Sequence, residues 1–184
     1  AGQARGFCFI NSIAVGARYA QCRRGLGRVA ILDWDAHHGN GTQEIFEEDG
    51  SVLLCGTHQY PLYPGSGRVD ECGRGKGRGC MLNRPLARGS TDTDLNRIYE
   101  EDFAPAIRNF RPDLILISAG FDGLAGDPLA NLVLTPAGLG AITRRIRDWA
   151  DEWCGGRVIS VLEGGYELEN LAAGVLAHLE GLRG

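Results

Sequence analysis

Three short segments hold residue types that can do chemistry together. The first is Asp33-Trp34-Asp35-Ala36-His37-His38-Gly39-Asn40-Gly41, directly after an apolar run. In extended backbone, residues 33, 35 and 37 point to one side, so two carboxylates and an imidazole converge. The imidazole suits a divalent transition metal better than calcium. An Asp-rich turn capping the next helix would account for Asp33 alone, but it fits Asp35 and His37 poorly. The second segment is Ser118-Ala119-Gly120-Phe121-Asp122-Gly123-Leu124-Ala125-Gly126-Asp127-Pro128. Asp122 can join Asp35 and His37 as a third metal ligand and leave one position open for water, the pattern of a catalytic zinc site. Asp127 is read as turn chemistry before Pro128. The third is Leu162-Glu163-Gly164-Gly165-Tyr166. Tyr166 either donates a hydrogen bond to a developing oxyanion or packs over the helix that follows.

These segments need elements to position them. Arg28–Asp33, Ser51–Cys55, Asp113–Ser118 and Arg157–Leu162 are near-continuous Val/Ile/Leu runs, as parallel strands covered on both faces require. Between them lie helical patterns: Phe9 to about Arg23, Thr42–Glu48, Asp92–Phe110, a helix opened by Thr135-Pro136 that runs to about Trp153, and Leu168–Leu182. The alternation predicts a doubly wound α/β domain, in which sites form outside the carboxyl ends of the strands. All three chemical segments begin at such ends. The segment His58–Gly79 has no strong period. Its Tyr60, Tyr63 and prolines can wall a pocket, and Gly73–Gly79 reads as a flexible basic loop, because no Ser or Thr follows Lys76 as a phosphate loop requires. A lone His58 reads as a hydrogen-bonded structural histidine, and His178 as a surface residue on the last helix.

Composition sets the outer limits. The chain has 184 residues, 43% hydrophobic and 23% charged, which fits one globular domain, 1–184. No apolar run reaches the roughly 18 residues of a membrane span. The net charge of -4 gives no support for nucleic-acid binding. Six cysteines without a CxxC pair read as buried, reduced thiols of a cytoplasmic protein. Met81 is the sole methionine, so Ala1 is not a translation start.

Taken in order, GFCFINSIAVGA, DWDAHHGNGTQ, HQYPLYPGSG, SAGFDGLAGDPL and LEGGY resemble the zinc-dependent histone deacetylases and their bacterial relatives that deacetylate polyamines and other acetylated amines. EGGY and SAGFD look closer to class II-like members. The resemblance implies a three-layer α/β/α fold with a mainly parallel sheet, arginase/deacetylase-like and incomplete at the N-terminus, so that 1–184 is the C-terminal portion of a catalytic domain. It implies Asp35, His37 and Asp122 as Zn2+ ligands and Tyr166 as the oxyanion-stabilising catalytic residue. Gly6 and Phe7 would line the acyl-lysine tunnel, with Tyr63 opposite and Leu129 nearby. Asp33 would serve a K+ site with backbone carbonyls of Asp35 and His37, at which Gly56 replaces a usual serine. The family's His-His general base precedes the segment that starts at Ala1, so weak activity is expected of this chain. The implied substrates are acetyl-lysine, acetylpolyamines or other small acetylated amines, without direct nucleic-acid or membrane binding. Two other readings stand beside this one: a non-catalytic module that binds an acylated ligand, and a ureohydrolase with two manganese ions. Gly39 and Leu124 count against the second, which uses acidic residues there.

Overall fold

The computed structural model describes residues 3–183. Five parallel strands form one sheet in the order β3-β2-β1-β4-β5: β1 Val29–Asp33, β2 Val52–Gln59, β3 Met81–Leu86, β4 Leu114–Ala119 and β5 Val158–Leu162. Helices cover both faces. Side chains alternate along β1, so Ala30 and Leu32 join one core cluster and Val29 and Ile31 the other. On the second side lie α1 (Ser12–Arg24), which buries Ile13, Ala14, Ala17 and Ala20, and α2 (Asn40–Phe46). The first side takes α3 (Asp92–Ile98), α4 (Ala104–Phe110), α5 (Pro136–Cys154) and α6 (Leu168–Arg183). The doubly wound α/β expectation is met. No helix among the described residues is long and apolar enough to cross a membrane.

Register brings the strand tips level. Asp33 pairs with Gly56 on β2 and with Ser118 on β4, and Ala119 pairs with Leu162 on β5. Every segment with chemical residues therefore leaves the sheet along one rim. The caps are local: Thr135 Oγ1 accepts from Gly138 N at 3.0 Å at the start of α5, and Gly155 ends that helix in the left-handed region at φ 62°.

Several elements differ from the sequence reading. β3 has no counterpart in it, because MLNRPL carries Asn83, Arg84 and Pro85 among its apolar residues. An edge strand tolerates Pro, and β3 is an edge. β2 runs four residues further than its apolar run, through polar residues that are all buried and bonded: His58 Nε2 contacts Gly67 O at 2.8 Å, and Gln59 Oε1 accepts from Asn131 N at 2.6 Å. The 92–110 helix is split by a wide π turn at Tyr99–Phe103, just before Pro105, whose ring cannot sit in a regular turn. Gly73–Gly79 is docked rather than loose. Arg74 N donates to Glu47 O at 2.6 Å and Gly79 N to Cys72 O at 2.7 Å, with a short 3-10 turn at Gly75–Gly77 between them. All six cysteines are free, but Cys8 and Cys22 are exposed, so only part of the buried-thiol expectation holds.

Candidate metal centre and substrate cleft

β1 stops at Asp33, yet the alternation of sides persists beyond it. Trp34 and Ala36 enter the core, while Asp33, Asp35 and His37 face a cleft of about 1680 Å³. Asp122 enters from the tip of β4. Ligand atoms of Asp35, His37 and Asp122 all lie within 4.8 Å of one another. His37 Nδ1 is 2.8 Å from Asp122 Oδ2 and 3.2 Å from Asp35 Oδ1. The other carboxylate oxygens are held by backbone: Asp122 Oδ1 accepts from Ala36 N at 2.8 Å, and Asp35 Oδ2 from Gly164 N at 2.9 Å. Asp122 thus has one oxygen anchored and the other turned to the imidazole, while Asp35 Oδ1, which faces the imidazole, also accepts from His37 N at 2.8 Å. The sequence brought these three residues together by side and strand end, and the structure places them in contact.

Electrostatics agree with a cation between them. Hydrogen bonds to Asp122 and then Asp35 raise His37 to about 10, the response of an imidazole to two facing carboxylates. Burial pushes Asp122 up to about 6. Burial would raise Asp35 too, but hydrogen bonds from the His37 side chain, its backbone N–H and Gly164 N–H outweigh it. The donor set, one imidazole nitrogen and two carboxylate oxygens, fits a zinc-type site with a fourth direction open to the cleft.

Close backbone approach is what permits this geometry. A Cβ on Gly120 would lie 2.5 Å from Asp35 Cα and from its Oδ2. One on Gly164 would lie 2.5 Å from Asp122 Oδ2. No side chain fits at either position without moving a ligand.

Tyr166 lines the same cleft, half-exposed, with its backbone N–H donating to Asp127 Oδ2 at 2.8 Å. Asp127 Oδ1 also accepts from Leu129 N at 2.9 Å, the turn role expected of it. Its hold on Tyr166 was not visible in the sequence, because the two are far apart in the chain. Burial and then the nearby Asp122 and Asp35 push the phenol to about 12. Gly6, Phe7, Tyr63 and Leu129 line the cleft as well. Phe7, at φ 63°, sets its ring edge against Tyr166 at 6.1 Å.

One more cleft residue, Glu163, escaped sequence reasoning, whereas Asp33 was expected beside the metal. Burial, then Asp35, raises Glu163 to about 7, while Ser118 Oγ donates to it at 3.4 Å. Asp33 is buried, accepts from Asp35 N at 3.1 Å, and is raised well above the carboxylate range by that burial and by Asp35. The remaining histidines are structural. His58 is buried against Gly67 O, as expected. His38 bonds Ser66 Oγ and Gln43 Oε1 at 2.8 and 3.0 Å. His178 is not on the surface: it is 4% exposed, reaching from α6 to α5 and β5. Its neighbours on α6 are mixed in polarity, so the helical pattern did not reveal which face it takes.

Known proteins share both sequence and fold with this chain. Residues 1–182 match the histone deacetylase domain. Histone deacetylase 10, chloroplastic, of Oryza sativa is 49% identical over 170 residues, covering 92% of this chain and 38% of that protein. The histone deacetylase-like amidohydrolase of Pseudomonas aeruginosa is 42% identical over 183 residues, covering 99% of this chain and 48% of the relative. The solved HDA15 HD domain superposes with a TM-score of 0.93 at 42% identity, over 98% of this chain and 51% of that one. The chain thus spans about half or less of the length of these relatives. With this sequence, this parallel sheet and this rim of strand-end residues, the chain belongs to the histone deacetylase family.

Proposed function

We propose that the chain carries the metal-binding and oxyanion-stabilising part of a zinc-dependent deacetylase that hydrolyses the acetyl amide of acetyl-lysine or of a small acetylated amine. The observation that carries this reading is the meeting of His37 Nδ1, Asp35 Oδ1 and Asp122 Oδ2 within 4.8 Å on a cleft that Tyr166 also lines. Zinc held by these atoms would supply Lewis acidity to the acetyl carbonyl and lower the pKa of a water. The chain's own groups supply the oxyanion donor and the walls of the cleft. Tyr166, with its pKa near 12, keeps its proton at neutral pH and can donate it in a hydrogen bond to the oxygen that gains charge as water adds to the carbonyl. Cleavage of the C–N bond then leaves acetate and the free amine. Phe7 and Tyr63 offer aromatic walls for an acyl chain, with Gly6 and Leu129 beside them. Asp33 is a buried carboxyl that a monovalent cation such as K+ would offset, with carbonyls of Asp35 and His37 as further donors. Gly56, which pairs with Asp33 across the sheet, brings no side-chain donor to that cation.

The general base is a separate matter. Among the described residues, His38 and His58 are engaged in a buried network and His178 in the core, so none is free to take a proton from water in the cleft. The family's His-His pair is not in this sequence, and general base catalysis contributes about 10²–10⁴-fold. Low turnover by the 184-residue chain follows. Six free thiols fit a reducing compartment, and we assign the protein to the cytoplasm on that support alone. A two-manganese reading finds little support: only one three-donor cluster occurs among the described residues, and Leu124 is buried in the core.

The test is hydrolysis of a fluorogenic acetyl-lysine peptide, with zinc, by this chain and by the chain extended upstream to a His-His pair. Turnover by the extended protein with little by the shorter one supports the reading. An inactive extended protein favours a module that binds acylated ligands without cleaving them. Robust turnover by the 184-residue chain contradicts the assignment of the missing base.

A further inference from the structure

One imidazole touches the residues beside the metal-ligand segments of β1 and β4 and the middle of β5. His178 Nδ1 lies 2.7 Å from Thr143 Oγ1 on α5. That hydroxyl donates to Leu139 O at 2.8 Å, so it accepts from Nδ1–H. Nε2 is then unprotonated and accepts from Ser160 Oγ on β5, at 2.8 Å. The ring edge meets Trp34 at 5.4 Å and 78°, and Phe121 at 6.0 Å and 69°. Trp34 stands between Asp33 and Asp35, and Phe121 immediately precedes Asp122. Both aromatic rings are almost fully buried. Gly174, one turn before His178, brings α6 against Phe121, whose Cδ1 would lie 2.6 Å from a Cβ there. Burial lowers His178 to about 4, so the ring is neutral at pH 7 and both nitrogens are satisfied in one tautomer. His178 does not line the cleft and cannot touch a substrate there.

We propose that His178 is a positioning residue, which braces the β1 and β4 tips against the middle of β5 from the core side and so sets the spacing of Asp35 and His37 against Asp122. The inference rests on the metal-site reading above. A packed aromatic contact and two directed hydrogen bonds give the Trp34 and Phe121 rings one arrangement, and each ring is one residue from a proposed ligand. An aliphatic side chain of similar size fills the space but directs nothing.

The experiment titrates the 184-residue chain with Co2+, whose visible d–d bands report ligand geometry, and measures affinity by competition with a chelator. Supporporting variants separate direction from volume: His178→Leu keeps bulk, His178→Gln can restore both hydrogen bonds, and Ile142→Val loosens the same core away from the ligand loops. The expected result is that His178→Leu binds Co2+ at least about tenfold more weakly with altered bands. His178→Gln should recover most of the affinity, and Ile142→Val should match the unmodified chain. If His178→Leu does not fold, Ser160→Ala removes one brace alone and should still shift the bands. Folded variants with unchanged affinity and bands overturn the role of His178. An unmodified chain that binds no Co2+ overturns the metal site itself, a distinguishable failure.

Discussion

Adding one methyl group should have opposite effects at two glycines. At Gly120 the new Cβ would sit 2.5 Å from Asp35 Cα and Oδ2 and 2.7 Å from Asp35 Cβ. Two of those three atoms are not the free end of a side chain, so the strand tips must separate. Contacts near 3.4 Å are the ordinary lower range, which makes the overlap close to 1 Å, and overpacking of this kind costs about 1–3 kcal/mol. At Gly16, inside α1, the Cβ would meet only Leu116 Cδ1 at 3.8 Å, an ordinary contact. There Ala gains about 0.5–1 kcal/mol from helix propensity and reduced unfolded-state freedom. Urea unfolding of Gly120→Ala and Gly16→Ala without metal should therefore move the midpoint in opposite directions. In the presence of Zn2+ the gap should widen, because displacing Asp35 weakens binding and so reduces ligand-linked stabilisation. A Gly120→Ala protein with the stability and zinc response of the unmodified chain would refute the argument that this glycine exists to let the strand end approach Asp35.

Two further outcomes follow from buried polar groups. His178 binds its proton near pH 4 when folded and near 6.5 when unfolded, so the unfolded chain holds more protons in that window and stability falls as pH drops through it. The loss amounts to about 3 kcal/mol at roughly 1.4 kcal/mol per unit. His58, also lowered to about 4 by burial, adds to the same slope. The diagnostic is thus the difference between the unmodified chain and His178→Leu in chemical unfolding at pH 4.5, 5.5 and 6.5, and equal slopes would contradict it. Glu71 ties down the aromatic loop, accepting from Gly67 N and Arg68 N at 3.0 Å and from Gln43 Nε2 at 2.8 Å. Glu71→Ala should cost about 1.5–3 kcal/mol and speed proteolytic cleavage within residues 60–79, whereas an unchanged cleavage rate would show that the loop is held by other contacts.

The apolar runs were enough to locate β1, β4 and the start of β2, because strands buried on both faces have almost no freedom in residue type; β5 was located by the same kind of run, although it is an edge strand with Ile159 and Leu162 exposed rather than covered on both faces. The rim followed from them: a site residue at a strand tip needs no long-range information. Asp35, His37 and Asp122 were legible for that reason, each two to four residues past an apolar run. Elements stabilised by polar partners distant in sequence were not. The end of β2 depends on Gly67 O and Asn131 N, and β3 is an edge strand whose burial is partial. His178 misled for the same reason. Its partners Thr143, Ser160, Trp34 and Phe121 come from four other elements, and no local period announces a satisfied core imidazole. Asp127 was read for its turn alone, since its bond to Tyr166 N exists only once β4 and β5 are neighbours.

The central claim is a single metal site built by Asp35, His37 and Asp122. Elemental analysis of the purified chain after exposure to Zn2+ and Mn2+ together and removal of unbound metal tests it most directly. The account predicts close to one zinc and almost no manganese per chain, with the zinc lost in Asp122→Ala. Two manganese ions per chain, or one zinc that survives Asp122→Ala, would contradict it.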